Sequence, residues 1–499
     1  MPGKFFVQNF GCRATQADGA SIERSLAQHG LQAAISAGEA DWVVLNTCTV
    51  TAAADGDARA AIRRIHRENP GCRILVTGCY AQRAPQEIAA LAGVDWVIGN
   101  SHKHQIADVI ASAPGFVNSF EGARLQPCWN DSTKIGALAP EEADQALGSV
   151  YEPSSKTFFP LRALTPQAAF GVNAPQSTVL VGNIFAHTDF LAAPVFDADT
   201  AAGPARTRPN LKVQDGCDNR CSFCIIPSVR GHSRSLPPAE VLREVETLVR
   251  AGYREMVISG INLGRWGRDL APVSSFEELL HSILERTAIE KIRISSVEPM
   301  DWSSELIDLV SSHPRIARHA HVPLQSGSDR ILRQMHRKYR PWHYAERVNK
   351  IRARSAQTAI GADVMVGFPG ETSELFEENR SFIASLPFTY LHIFTFSARP
   401  GTPAATMPDQ VPAQVVRERH KILRDLIAEK NRGFRQSFVG GRLNAITLLT
   451  PSEDEGCTEA LTDNFVKLQL NGRHPANQWI EAEITALTKD GLQGAASSF

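Results

Sequence analysis

The chain has 499 residues, 43% hydrophobic and 21% charged, an ordinary globular composition with room for two to four domains. A formal net charge of −1 excludes a polyanion partner held by the bulk field alone, so a nucleic-acid surface has to come from local clustering. The N-terminus lacks a signal-peptide pattern and no stretch approaches the roughly 20 apolar residues of a membrane span. Nine cysteines in such a chain argue for metal or redox use in the cytoplasm over disulfides.

Residues 1–115 alternate short apolar runs with helical patterns. The runs "KFFVQNF", "DWVVLNT" and "RILVTG" lead to Cys12, Cys48 and Cys79, and a fourth run, "VDWVIGN", follows. Strand–helix alternation predicts a parallel, Rossmann-like α/β sheet with each cysteine just past the C-terminal end of a strand. That edge is where open α/β sheets bind ligands. Three buried core cysteines would have the same residue types, so the placement alone leaves two readings open.

Residues 116–205 read as a linker with an insertion at about 118–178, which holds six prolines and little periodicity. Such a segment is expected to add no element to either neighbouring sheet and to lie peripheral to the chemistry. From 206 to 434 the alternation resumes with six strand-like runs, from "LKVQDGC" to "YLHIFTFSARPG", each followed by a helical pattern. Six βα units predict an open, partial TIM-like barrel. Polar residues cluster past its strand ends: Asn262, Glu298, Gln325, Asp363, Glu371 and Arg399. Residues 435–499 carry short β patterns and predict a small β-barrel.

The first βα unit holds "GCDNRCSFCIIP", in which Cys217, Cys221 and Cys224 form a C-x₃-C-x₂-C run. A closed structural zinc site wants four ligands. Three thiolates on one loop can instead hold three irons of a [4Fe–4S] cluster and leave the fourth free. A free iron can chelate S-adenosylmethionine, whose reductive cleavage yields a radical. Asn262, Glu298, Gln325 and Asp363 are the candidate contacts for that cofactor.

The segments "NFGC", "LNTCTVT", "TGCYAQ", "GCDNRCSFCIIPSVRG", "ISSVEP", "VPLQSGSD" and "VGFPGETSE" carry a resemblance to the radical S-adenosylmethionine methylthiotransferases. It spans nearly the whole chain except 118–178, and "QMHRKY" and "RTRPNLKVQDGCDNRC" bring it nearest the threonylcarbamoyladenosine-specific tRNA branch. The resemblance implies two [4Fe–4S] clusters, with Cys217, Cys221 and Cys224 matching the ligands of the radical cluster. Cys12, Cys48 and Cys79 match those of an auxiliary cluster that carries or supplies sulfur. It also implies transfer of a methylthio group to C2 of threonylcarbamoyladenosine at position 37 of tRNA. A flavodoxin- or ferredoxin-like electron donor and a sulfur source are the further partners, no membrane is involved, and the chain is expected to be a monomer. Rival substrates are isopentenyladenosine in tRNA or a ribosomal protein side chain; a non-catalytic iron–sulfur carrier is the rival of another class. Thr15 stands where the family more often has asparagine.

Residues 330–354 hold nine Lys or Arg against one acid, a local net of +8. Arg333, Arg337, Lys338 and Arg340 are the candidate RNA contacts, with Tyr339, Trp342 and Tyr344 interleaved to stack bases. The C-terminal barrel resembles the family's RNA-binding TRAM domain, yet residues 436–499 carry four basic residues against eight acids, a net of −4. A barrel of that charge attracts phosphate poorly through its bulk field.

Overall fold

A computed structural model describes residues 3–113, 177–187, 190, 207–450, 452 and 456–497. The first unit is a parallel sheet of β1 (Lys4–Asn9), β2 (Gln32–Ala33), β3 (Trp42–Thr47), β4 (Arg73–Gly78), β5 (Val94–Gly99) and β6 (Thr178–Leu180). Its spatial order is β2-β1-β3-β4-β5-β6. The central run "WVVLNT" is apolar from Trp42 to Leu45 because β3 is buried on both faces. Val43 and Leu45 pack with Ile62 and Ile65 of helix Ala52–Glu68. Trp42 and Val44 point the other way, onto Ile22 and Leu26 of helix Arg13–Gln28. Period-2 alternation thus distributes one strand between two helical layers.

β6 corrects the reading of the linker. Thr178–Leu180 pairs in parallel with Trp96–Ile98 of β5, so the linker supplies an edge strand that takes in Thr178, the last residue of the expected insertion. "TVL" is short and β-branched, which suits an edge strand with a ready partner. The remainder of the expected insertion, 118–176, lies outside the described residues.

The second unit carries β7 (Asn210–Asp215), β8 (Arg234–Ser235), β9 (Glu255–Gly260), β10 (Lys291–Ile294), β11 (His319–His321), β12 (Ala359–Val366) and β13 (Tyr390–Thr395). Strands β10-β9-β7-β8 form one ladder and β11-β12-β13 another. Parallel bridges Ile292↔Ile316 and Ser296↔His321 join them side by side. β8 runs antiparallel to β7, and the other six strands give the open, partial barrel that the six runs predict. Helices Pro238–Arg250, Phe276–Arg286, Ser304–Ser312, Pro341–Arg354 and Ser373–Ser385 cover its outside through one continuous apolar core.

Helix Ala413–Gln436 leads into a closed barrel of β14 (Arg442–Thr447), β15 (Cys457–Thr462), β16 (Lys467–Asn471), β17 (Trp479–Leu487) and β18 (Leu492–Ala496), ordered β14-β15-β16-β18-β17. Arg293 of β10, fully buried, locks it in place. Its Nε donates to Glu255 at 2.7 Å, and its Nη1 and Nη2 donate to the carbonyls of Asp463 and Thr462 at 3.1 and 3.2 Å. One planar fork therefore joins the neighbouring strand β9 and the C-terminal barrel. Among the described residues no helix is long and apolar enough to cross a membrane.

Candidate active site

Cys217, Cys221 and Cys224 follow β7 on a loop anchored at several points. Cys217 N–H donates to the Gly231 carbonyl at 3.1 Å, and Ser222 Oγ donates to the Gln334 carbonyl at 2.7 Å. Donors surround the sulfurs: Asn219 N–H lies 3.4 Å and Asn262 Nδ2 3.7 Å from Cys217 Sγ, and Arg337 Nη1 lies 3.2 Å from Cys221 Sγ. Burial nonetheless pushes the Cys224 thiol up to about 12, the neighbouring Cys221 and Cys217 adding to it. Crowded buried thiols of this kind give up their protons to a metal.

Cys12, Cys48 and Cys79 follow β1, β3 and β4, which are adjacent strands. Gly11 makes their approach possible: its φ is +96°, and a Cβ there would come within 2.5 Å of Cys48 Cβ and 2.8 Å of its sulfur. Burial, with Cys79 and Cys12 adding to it, pushes Cys48 up to about 12. Thr15 keeps its hydroxyl 3.5 Å from Cys12 Sγ, and its carbonyl accepts from Asn46 Nδ2 at 2.7 Å.

One cavity of about 570 Å³ takes Cys12 from the first unit and Cys217, Cys221 and Cys224 from the second into the same lining. Asn262, Glu298, Gln325 and Asp363 all face it. Three of its polar atoms, Asn262 Oδ1, Ser295 Oγ and Gln325 Oε1, are buried without a partner. Buried orphans in a roomy cavity await a polar ligand. The donor set of three thiols and nearby unpaired amide oxygens fits a thiolate-held cluster with S-adenosylmethionine beside it. Gln325 adopts a left-handed φ of 65° to reach this position.

Two of the polar residues past strand ends point elsewhere. Glu371 Oε2 accepts from Gly367 N–H and Arg419 Nη1, both at 2.8 Å, and ties the "GFPGE" turn to the last helix of the second unit. Arg399 crosses to the first unit and donates to Asp55 Oδ2 at 2.9 Å.

A buried ionic network, with no local signature in the sequence, joins the two units beside the first trio. Asp18 of the first unit binds Lys103 at 2.9 Å, Arg230 at 2.9 Å and Lys212; Asp215 binds Lys212 at 2.7 Å and Arg230 at 2.9 Å. Burial alone would raise the Asp18 carboxyl, and the three cations hold it well below its usual range. Three cations against two carboxylates leave one positive charge, and Arg230 feels both Cys79 and Cys12.

The RNA-contact reading needs correction at several positions. Arg337 is buried; it pairs with Glu298 and donates to Cys221, so it belongs to the cavity and not to an outer RNA surface. Tyr339 and Tyr344 are core residues whose hydroxyls bond the carbonyls of Leu324 and Val322, leaving Trp342 exposed. Arg333 and Arg340 both spend their charge on Asp329. Lys338 is exposed and makes no ion pair or hydrogen bond with a described residue. The loop between helices Asp329–Gln334 and Pro341–Arg354 is the reason: along 335–339 burial alternates, so Met335, Arg337 and Tyr339 face inward while His336 and Lys338 face solvent.

Sequence reading missed the far wall of the cavity. There His319, His321, Tyr390 and His392 meet Phe465, which the C-terminal barrel presents at a left-handed φ of 65°. The Phe465 ring lies 4.4 Å from that of His319 and 5.4 Å from that of Tyr390. Asp363 accepts from His392 at 3.2 Å and lies 3.4 Å from His321, and these two hold its carboxyl down against the effect of burial. The signal available was the i, i+2 spacing of His319/His321 and Tyr390/His392 on barrel strands; for Phe465 there was none.

Residues 4–99 match the Uncharacterized protein family UPF0004 and residues 211–383 the Radical SAM superfamily. The chain is 34% identical over 465 residues to "Threonylcarbamoyladenosine tRNA methylthiotransferase MtaB" of Bacillus subtilis, covering 93% of this chain and 89% of the relative. The Aquifex aeolicus protein of the same name is 32% identical over 94% of this chain and 97% of its own length. A "tRNA-2-methylthio-N(6)-dimethylallyladenosine synthase" of Nocardioides sp. is 31% identical over 96% of this chain and 82% of its own.

Proposed function

This chain belongs to the radical S-adenosylmethionine methylthiotransferase family, and from that premise we propose that it places a methylthio group on C2 of N6-threonylcarbamoyladenosine at position 37 of tRNA. The observation that carries the reading is the shared cavity, where Cys12 and the Cys217–Cys221–Cys224 loop face each other across one space. Cys217, Cys221 and Cys224 would hold one [4Fe–4S] cluster, and Cys12, Cys48 and Cys79 the other. When bound, the clusters and two molecules of S-adenosylmethionine supply the electron, the carbon radical, the sulfur and the methyl group.

The chain's own residues bind and orient. Asn262 and Gln325 offer unpaired amide oxygens to the cofactor's polar groups. Glu298 and Arg337 grip each other at the cavity wall, which aims Arg337 Nη1 at the Cys221 sulfur. Phe465 and Tyr390 form an apolar wall against which a purine can lie. A flavodoxin- or ferredoxin-like donor, an external sulfur source, a monomeric state and a cytoplasmic setting complete the proposal. We keep the boundaries 1–115, 116–205, 206–434 and 435–499 as the working division, with β6 returned to the first unit.

The test is reconstitution of both clusters, followed by incubation with reductant, sulfide, S-adenosylmethionine and an anticodon stem-loop RNA bearing threonylcarbamoyladenosine. Nucleoside mass spectrometry should find the 2-methylthio product. Product formed only from an isopentenyladenosine stem-loop would move the chain to the branch of the dimethylallyladenosine-named relative.

A further inference from the structure

Nearly all the charge lining the cavity is internally paired. Glu298 is held by Arg337, and Asp363 by His321 and His392. Arg13 is the exception among the described residues. It is the first residue of helix Arg13–Gln28, directly after Cys12, and its carbonyl accepts from Asn210 Nδ2 at 3.0 Å. The backbone is therefore fixed while the guanidinium lines the cavity, with no hydrogen bond or ion pair to any described residue. Across from it stand Tyr390 and His319, which burial keeps neutral. Arg13 is an exposed residue, so an incoming ligand can reach it.

We propose that Arg13 is the residue that receives the carboxylate of the threonylcarbamoyl group and thereby selects this nucleoside over the isopentenyl one. The inference rests on the function proposed above. Of the two N6 substituents only threonylcarbamoyl carries a carboxylate, and guanidinium is the side chain whose fork matches it in bidentate geometry. An isopentenyl group offers Arg13 no acceptor and, packed against it, would strip water from an unpaired guanidinium, which counts against that ligand. Position matters as well. C6, which bears N6, and C2 flank N1 in the six-membered ring, so anchoring the N6 substituent beside Cys12 directs that edge of the base toward the first trio. The His319–Tyr390–Phe465 wall stands opposite to receive the ring's face.

The experiment compares two stem-loop RNAs, one with threonylcarbamoyladenosine and one with its methyl ester, which differ only in the carboxylate charge. The wild-type chain should lose roughly 10- to 100-fold in kcat/KM on esterification, mostly in KM. Arg13→Gln should act on both RNAs equally, at about the wild-type rate on the ester, with iron content and uncoupled S-adenosylmethionine cleavage unchanged. An ester penalty that persists in Arg13→Gln overturns the proposal, because another group then reads the carboxylate. Equal loss on both RNAs that leaves the penalty intact overturns it too, placing Arg13 in service of the Cys12 cluster. Should Arg13→Gln fail to assemble clusters, Arg13→Lys decides: a reduced penalty supports the fork geometry and an undiminished one refutes it. A wild-type chain that ignores threonylcarbamoyladenosine and acts on isopentenyladenosine removes the parent reading and this one with it. Wild-type turnover of the acid without any ester penalty removes only this one.

Discussion

The two cysteine trios reach similar ends by opposite routes. Cys217, Cys221 and Cys224 sit within eight consecutive residues, and the loop itself brings them together. Cys12, Cys48 and Cys79 span 68 residues and meet only because β1, β3 and β4 are adjacent and in parallel register, Asn9 opposite Asn46 and Asn46 opposite Thr77. A loop trio survives modest disturbance of the sheet behind it. A strand-end trio is a property of the sheet, and anything that shifts one strand end shifts a ligand.

The sharpest test of that contrast is to remove each trio. Replacing Cys217, Cys221 and Cys224 with Ala should reduce S-adenosylmethionine cleavage to background and bring iron from about eight to about four per chain. Replacing Cys12, Cys48 and Cys79 should leave a similar iron content but spare cleavage and abolish sulfur insertion. Quantifying 5′-deoxyadenosine and bound iron in the same samples checks both; retained cleavage in the first variant would break the assignment.

A single alanine should separate the trios almost as cleanly. Gly11→Ala puts a methyl group 2.5 Å from Cys48 Cβ at a φ of +96°, where neither backbone nor neighbour can yield cheaply. We expect about four irons, retained cleavage and no methylthio product. Full iron content in Gly11→Ala would mean that the strand-end trio is more tolerant than its geometry implies.

How much of this the sequence disclosed follows the same division. The loop trio was legible because its spacing is local, and the six βα runs were legible because their apolar periods are long and regular. That Asn262, Glu298, Gln325 and Asp363 would share one face was legible because strand ends mark the ligand-binding edge of such a barrel, and all four line the cavity. Arg337 was misread because a count of charges carries no direction, and only the fold shows that the loop between two helices turns it onto Glu298. Asp18, Lys103, Lys212, Asp215 and Arg230 went unseen because Asp18 and Arg230 stand 212 residues apart in the chain. Phe465 reaches the cavity from a separate barrel, which no local pattern reports.

That ionic network gives the next test, of medium size. Asp18→Ala leaves Lys103, Lys212 and Arg230 to share Asp215, and breaking a buried network from one side costs about 3–5 kcal/mol. Calorimetry or thermal scanning should show the loss as a lowered melting temperature. The sign with pH follows from linkage. Asp18 is held below its unfolded pKa of about 3.9, so its contribution is complete above that value and fades as pH falls through and below it. Asp18→Asn should therefore lose less stability than the wild-type chain between about pH 5 and pH 2. An identical acid profile would show that the network is not what couples the first trio's sheet to the loop trio's barrel.

The smallest expected effect concerns two neighbouring cations that the sequence treated alike. Arg337 is buried against Glu298 and Cys221, while Lys338 is exposed at the rim of a cleft that also holds Asn219 and Asn262. If RNA phosphate passes this rim, Lys338→Ala should cut affinity a few-fold and flatten the slope of log affinity against log salt by about 0.9, the release of one counterion. Arg337→Ala should leave the slope unchanged and instead weaken S-adenosylmethionine cleavage, because it strips a donor from Cys221 and strands Glu298. The two readouts are independent, since the salt slope counts phosphates and cleavage requires none. A flattened slope in Arg337→Ala would place that guanidinium on RNA after all, and would require the Glu298 pair to open when substrate binds.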